Sequence, residues 1–274
     1  MVGEIILKTL RETKLGDVTL RLVEKDKRFI GLIIADGIKA QIEGDTADDV
    51  WRRLHDEAGK ANPRYFGFDG ARSRFLKFFP NGFHSTGYSE GERNYKVAAK
   101  TKLDQSVPLD KAVAGSGFGE SILSVFRATN LLSPFEKTRL QDLLRGPDAD
   151  AFIRAAARFA TGDAKLALMD MERLLKAHDN AKWTVVTYLP FLWRPEQHMF
   201  LKPEMTKDFA ARVGHPFASE YEPRLQISVY ESLLDLAART ASELADLKPR
   251  DRIDVQSFIW VIGDYKEGRE HPKS

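Results

Sequence analysis

The sequence predicts an α+β fold, with a small N-terminal antiparallel sheet and one helix followed by a larger, mostly helical domain. Apolar and polar residues alternate in DVTLRLVE near the start of the chain, whereas apolar residues recur with helical spacing from about Gly117 onward. The composition, 43% hydrophobic and 30% charged, is typical of a globular protein. We divide the chain into a sheet-and-helix region over 1–60, a basic aromatic connecting segment over 61–112 and a helical domain over 113–274.

The predicted sheet rests on three short stretches. DVTLRLVE places Val18, Leu20 and Leu22 on one face of a strand. RFIGLIIA follows as a second strand, and the hairpin signal Asp36-Gly37 leads into a third, IKAQIE. Strands joined by such short turns pair antiparallel.

One helix follows these strands, in GDTADDVWRRLHDEAGK. Thr46 is its predicted N-cap, and Asp48 and Asp49 lie in the first turn, where the helix dipole favours acids. Apolar residues recur every four positions from Val50, and Gly59 marks the end. This spacing predicts a helix that covers one face of the sheet.

The helical domain contains a well-marked helix, SPFEKTRLQDLLRG. Ser133 and Glu136 form a capping box, Pro134 occupies the first helical position and Gly146 ends the helix. Two further amphipathic helices, PDADAFIRAAARFATG and DAKLALMDMERLLKAH, are separated by a Thr-Gly pair. Leucines from Leu225 to Leu247 then predict one long helix.

The last predicted helix lies in RDRIDVQSFIWVIGD. Asp251 or Asp254 is its N-cap, and Val255, Phe258 and Ile262 lie on its inner face.

The connecting segment 61–112 carries the positive excess of the chain. It has nine basic and five acidic residues, whereas the whole chain has a net charge of +2. Its basic residues alternate with aromatic ones, a pattern that allows phosphate contacts together with stacking on unpaired bases. The predicted nucleic-acid-binding residues are Arg64, Arg72, Arg74, Lys77, Arg93, Lys96, Lys100 and Lys102.

The same segment also fits a hydrophobic core. ARSRFLKFF fits a short helix with Ala71, Phe75 and Phe78 or Phe79 inward. ERNYKVAAKTKL fits another, with Tyr95, Ala98 or Ala99, and Lys102 on one side. Burial of a phenylalanine ring is worth roughly 2–3 kcal/mol, so most of the rings are expected in the core. The two interpretations combine if the cations form a stripe over buried rings.

A second aromatic stretch runs from Lys182 to Phe217. Arg194, His198 and Lys202 are spaced by four and predict an anion-binding site for phosphate or carboxylate. The alternative is a core-packed loop with solvated cations, followed by a helix that begins near Thr206.

A glycine-rich loop, Gly115 to Gly119, precedes a predicted helix. Its backbone amides suit a phosphate, but no Lys-Ser/Thr pair follows it, so we interpret it as a flexible start of the helix. His198, His215 and the glutamates near them match no established ligand spacing. The sequence therefore predicts no metal site and no cofactor.

Several classes are excluded by composition. The chain has no cysteine, which rules out disulfides, thiolate zinc sites and cysteine nucleophiles. The N-terminus lacks the pattern of a signal peptide, and no run approaches the roughly 18–20 apolar residues of a membrane span. We expect a cytoplasmic protein without a membrane partner.

The stretches LPFLWRPEQHMFLKPEMT and DVQSFIWV resemble a pattern in a family of uncharacterised bacterial proteins. YFGFDGARSRFLKFFPNGF and ERNYKVAAK belong to the same pattern, which covers most of residues 61–262. The resemblance implies a bacterial, cytosolic setting and no particular activity.

Three functions follow from these patterns. The first is non-catalytic binding of DNA or RNA through the connecting segment. The second is a protein-interaction subunit of a larger bacterial assembly, which predicts an exposed apolar patch around Trp193 or Trp260. The third is an enzyme with a concave pocket in which His198 is accessible beside Arg194 and Lys202.

Overall fold

The computed structural model describes residues 8–15, 18–26, 28–35, 37–59 and 65–265. A four-stranded antiparallel sheet comes first and helices follow, which confirms the α+β fold. The chain divides into two compact units: the residues up to Arg72 together with Lys207–Tyr221, and Ser73–Thr206 together with the residues from Glu222 onward.

The sheet follows the order of the sequence. Its strands are β1 (Lys8–Leu15), β2 (Val18–Lys25), β3 (Arg28–Ala35) and β4 (Gly37–Gly44), and each pairs antiparallel with the next. The three predicted strands are confirmed as β2, β3 and β4. β1 did not stand out in the sequence, because KTLRETKL has charged residues on both faces.

Helix α1 (Ala47–Gly59) covers one face of this sheet, as predicted. Leu20 and Leu22 of β2 are fully buried in one cluster with Val50 and Leu54 of the helix. Gly31 of β3 lies directly below the helix, since a methyl group there would come within 3.0 Å of the Val50 side chain. Glycine at this position thus allows close packing of helix and sheet.

The rest of the described chain is mostly helical. Its helices are α2 (Gly67–Phe78), α3 (Thr86–Tyr88), α4 (Asn94–Ser106), α5 (Leu109–Ala112), α6 (Gly119–Arg127), α7 (Pro134–Arg145), α8 (Ala149–Thr161), α9 (Ala164–Lys176), α10 (Trp183–Trp193), α11 (Pro203–Arg212), α12 (Phe217–Glu220), α13 (Ile227–Glu243) and α14 (Arg252–Asp264). A π-helical turn, Ser89–Arg93, joins α3 to α4. Among the described helices, none is long and apolar enough to span a membrane.

The predicted helix signals around α7, α8 and α9 are confirmed. Ser133 and Glu136 form the reciprocal capping box of α7. Gly162 separates α8 from α9 with a φ of 121°, a conformation that favours glycine. The two helices pack against each other, and α8 also packs against α10.

Helix α10 was not predicted. All of its residues are buried, and Pro190 lies inside it. Because it has no polar face, it lacks the periodic pattern of an amphipathic helix, and its proline indicated irregular structure. The predicted helix start near Thr206 is also wrong, since α11 already begins at Pro203.

The long helix predicted between Leu225 and Leu247 is shorter than expected. α13 ends at Glu243, and a 3₁₀ turn, Ala245–Leu247, follows. Lys248 then has a φ of 52°, in the left-handed region that ends a helix.

Candidate functional site

Four aromatic rings of the connecting segment form a core cluster. Phe75, Phe79, Phe83 and Tyr88 are buried, and the last three have ring centroids 5.0–5.9 Å from that of Phe75. Phe258 of α14 joins the same cluster at 5.1 Å from Phe75. The expectation of core rings is confirmed for these four, whereas the other five aromatic residues of the segment are half-buried: Tyr65, Phe66, Phe68, Phe78 and Tyr95.

Arg93 of this segment is held by two carboxylates. Its guanidinium donates to Asp251 at 2.6 Å and to Asp254 at 2.7 Å, and only 12% of its side chain is exposed. Asp254 is fully buried and also accepts from the Tyr88 hydroxyl at 2.6 Å and from Arg250 at 2.9 Å. These donors keep the pKa of Asp254 below its usual range despite the burial, which alone raises it. Arg93 is thereby part of an internal ion-pair network.

The hydrogen bonds of Asp251 identify it as the N-cap of α14. Its side chain accepts from the backbone amides of Ile253 and Asp254, so it is the N-cap, whereas Asp254 lies inside the helix.

Lys96 is fully buried. Its ammonium lies 3.1 Å from a Glu92 carboxylate oxygen and donates to the Ser257 hydroxyl at 2.8 Å. Burial lowers the pKa of Lys96, and the Glu92 carboxylate opposes that change. Lys96 is therefore enclosed by protein groups.

The face predicted for α4 was right only at Ala99. The buried residues of the helix are Lys96, Ala99 and Leu103, whereas Tyr95 is half-buried and Lys102 is exposed. A lysine in a helical pattern is normally assigned to the solvent-exposed face. Here the Glu92 carboxylate, one turn earlier, pairs with the Lys96 ammonium and allows it to be buried.

The other cations of the segment lie nearer the surface. Lys100 pairs with Asp104 at 2.7 Å, Lys102 is exposed and 3.3 Å from the Ser124 carbonyl, and Arg74 donates to the Tyr265 carbonyl at 2.5 Å. Arg72 is half-buried and Lys77 is exposed. Arg64 lies outside the described residues.

His198 is packed rather than accessible. Its Nδ1 lies 2.9 Å from the Tyr230 hydroxyl and its Nε2 3.1 Å from the Ala160 carbonyl. A carbonyl only accepts, so Nε2 carries the proton and Nδ1 accepts from Tyr230. Burial lowers the pKa of His198, which favours this neutral ring. The accessible His198 required by the enzyme hypothesis is not observed.

Arg194 and Lys202 contact different partners. Arg194 lies 3.3 Å from the Gln197 side-chain oxygen. The Lys202 ammonium lies 3.3 Å from the Leu131 carbonyl and 5.9 Å from the centroid of the Trp260 ring. Of the three residues predicted to share an anion site, only Lys202 lines the cavity described next.

This cavity has a volume of about 100 Å³. It lies between the π-helical turn, α4, α14 and the segment that precedes α11. Its lining residues are Gly91, Glu92, Tyr95, Lys96, Asn130, Leu131, Phe200, Lys202, Gln256, Trp260, Asp264 and Tyr265. Aromatic rings and charged groups thus line one enclosed space, as in many ligand sites.

Charged and polar partners fix the Glu92 side of the cavity. One Glu92 oxygen lies 3.1 Å from the Lys96 ammonium, and the other accepts from the Tyr265 hydroxyl at 2.9 Å. Burial, together with the Glu92 charge, raises the pKa of the Tyr265 hydroxyl, so it stays a donor at neutral pH. This wall is preorganised before any ligand arrives.

Gln256 is the lining residue whose polar group is left unsatisfied. Its side chain is buried, and its Oε1 has no hydrogen-bond partner among the described residues. Buried polar groups almost always have a partner, and leaving one without costs about 1–3 kcal/mol. A ligand donor in the cavity would satisfy this oxygen.

Trp260 and Trp193 differ in exposure. Trp193 is buried, and its indole donates to the Val107 carbonyl at 3.0 Å, so it contributes to no exposed patch. Trp260 is partly exposed and lines the cavity.

Sequence reasoning did not select Glu92, Gln256 or Tyr265 as site residues, and it considered Trp260 only for an exposed apolar patch. Two signals were present. Glu92 and Lys96 form an i, i+4 acid–base pair, and Asp254, Gln256 and Ser257 interrupt an otherwise apolar helix.

The chain significantly matches no protein-family model, no curated protein and no solved structure.

Proposed function

We propose that this protein binds a small acidic molecule in the cavity between α4 and α14. The observation that supports it most directly is that Lys202 and Gln256, whose buried Oε1 has no partner among the described residues, line the same cavity. The proposal retains Lys202 from the predicted anion site and leaves out Arg194 and His198.

The lining defines the chemistry of the ligand. Lys202 provides a positive charge for a carboxylate or phosphate, and its own contact with the Leu131 carbonyl is long at 3.3 Å. Gln256 Oε1 requires a hydrogen-bond donor. Phe200, Tyr95 and Trp260 provide ring surfaces for a flat apolar body.

The volume limits the size of the buried part. An engineered cavity of about 150 Å³ in another protein holds benzene. The space here is smaller, about 100 Å³, so it encloses a short chain or part of a ring, with the acidic group directed toward Lys202.

Binding is tested by titrating the protein with benzoate, 4-hydroxybenzoate, phenyl phosphate and the uncharged benzamide. Tryptophan fluorescence is recorded after each addition. Trp260 is one of four tryptophans, so a Trp260→Phe variant identifies its share of the signal. We expect the anions to bind at least tenfold more tightly than benzamide.

Two variants locate the site. Lys202→Ala should lower the affinity for the anions about tenfold and leave the affinity for benzamide unchanged, because it removes a charge-assisted contact. Gln256→Leu should remove the preference for 4-hydroxybenzoate over benzoate, because it removes the acceptor for the extra hydroxyl. Lys102→Ala is the matched control, an exposed lysine outside the cavity lining. Equal binding by the Lys202→Ala variant, or no binding of any probe, contradicts the proposal.

Binding of DNA or RNA by the connecting segment, a protein partner, a cytoplasmic location and the bacterial family resemblance stay predictions. The buried positions of Arg93 and Lys96 leave the exposed Lys77 and Lys102 as the cations best placed for phosphate contact.

A further inference from the structure

A second depression lies against the hairpin of α8 and α9, with a volume of about 180 Å³. Arg154 and Arg158 are one turn apart on α8, and Asp170 and Arg173 are one turn apart on α9. All four side chains line the depression, because the hairpin places these faces side by side. None of them belongs to the cavity between α4 and α14.

Positive charge is in excess there. Asp170 pairs with Arg158 at 2.6 Å and more loosely with Arg173 at 3.8 Å. The Arg154 guanidinium donates to the Gly115 carbonyl at 3.1 Å, a neutral group. The lining thus contains three guanidiniums and one carboxylate, which leaves two positive charges in excess among the lining side chains.

Donors at this depression remain available. Arg158 Nε is buried and has no acceptor among the described residues. Arg173 is 69% exposed, and its distance to Asp170 is longer than a hydrogen bond. Like charges held close together are unfavourable without a counter-ion, and a guanidinium presents paired N–H groups that match phosphate oxygens.

The glycine-rich loop from Gly115 to Gly119 contributes differently from a phosphate cradle. Its Gly117 amide already donates to the Asp150 carboxylate at 2.8 Å. The Gly115 carbonyl fixes Arg154 instead. The loop therefore positions a side chain, and the side chains supply the donors.

We propose that the depression against α8 and α9 binds the phosphate group of a small phosphorylated molecule, with Arg154, Arg158 and Arg173 as donors. Asp170 competes with the ligand for Arg158 and Arg173. This site is independent of the proposed acid-binding cavity.

The test is calorimetric titration of the full chain with inorganic phosphate and with pyrophosphate at low salt. We expect pyrophosphate to bind more tightly, because it carries more charge. Arg158→Gln and Arg173→Gln should each weaken pyrophosphate binding about tenfold. Arg139→Gln is the matched control, since Arg139 also pairs with an aspartate, Asp179 at 2.7 Å, and lies outside the depression.

Asp170→Asn separates binding from a purely structural role. It removes the competing carboxylate, so pyrophosphate affinity should rise several-fold even if the melting temperature falls. Arg173 is largely exposed, so its variant is expected to fold, and circular dichroism checks this for each variant. Absence of pyrophosphate binding, an unchanged affinity in Arg173→Gln, or binding only of long nucleic acids would each overturn the proposal.

Discussion

The connecting segment and the α8–α9 hairpin use their basic residues in opposite ways. The segment 61–112 has nine basic and five acidic residues, yet Arg93 and Lys96 are held by internal carboxylates. Residues 149–176 have five basic and four acidic residues, yet three arginines and only one aspartate line the same depression. Charge density along a sequence therefore does not predict where unbalanced charge collects in the fold.

The difference comes from the partners that packing provides. α14 brings Asp251, Asp254 and Ser257 to the cations of the connecting segment. The hairpin of α8 and α9 instead brings arginines from two helices to one depression. Both contacts join residues that are distant or on separate helices, so only the tertiary structure creates them.

Asp254→Ala provides the strongest test of the internal role of Arg93. Removing this buried carboxylate leaves Arg93 and Tyr88 without their shared acceptor, so we expect a loss of about 3–5 kcal/mol in the free energy of unfolding. Urea unfolding at pH 7 measures it, with Lys102→Ala as the surface control. A loss below about 1 kcal/mol in the free energy of unfolding would mean that Asp254 does not hold Arg93, and Arg93 would again be a candidate for phosphate contact.

Lys96→Met tests the second internal pair. It leaves the Glu92 carboxylate buried without its ammonium, so we expect a loss of about 2–4 kcal/mol in the free energy of unfolding. The double variant with Glu92→Gln should recover part of that loss, because it no longer buries an unpaired charge. Additive losses in the double variant would show that the two groups do not stabilise each other.

His198 predicts a pH dependence. Its folded pKa is lowered, so between that value and the unfolded value of about 6.5 the unfolded chain binds more protons. Stability should therefore fall as pH drops below about 6.5, by at most about 1.4 kcal/mol per pH unit from this group.

A His198→Gln variant should show a shallower pH dependence, because its amide can replace the donor to Ala160 without titrating. Urea unfolding between pH 7 and 5, followed by near-UV circular dichroism of the stacked Trp183 and Tyr230, measures the change. His55 has a pKa lowered by burial to about 3 and contributes with the same sign, so some dependence should persist. An unchanged slope in the variant would mean that His198 is not the titrating group.

Lys77→Ala with Lys102→Ala tests the nucleic-acid hypothesis with the smallest expected effect. If each lysine neutralises one phosphate of single-stranded DNA, the slope of log affinity against log salt should fall by about 1.4. Fluorescence anisotropy with labelled DNA and RNA, from low to physiological salt, measures the slope. Binding that is unchanged in the double variant would exclude these two cations from the interface.

Much of the architecture was predictable from local patterns. Three strands, α1 and the capping box of α7 follow from alternation, helical spacing and hydrogen-bonding end residues, all of which act within a few positions. Helix α10 was not predicted, because a helix that is buried on every side has no amphipathic period.

The sequence by itself determined the α+β class and the presence of an aromatic core cluster around Phe75, because hydrophobic spacing and ring size dictate both. Only the tertiary structure decided which cations are neutralised and which line a cavity. Lys96 lies inside because Glu92 and Ser257 surround it, and Arg158 meets Arg173 because two helices fold back on each other. Electrostatic partners depend on distances between remote residues, and those distances exist only after the chain has packed.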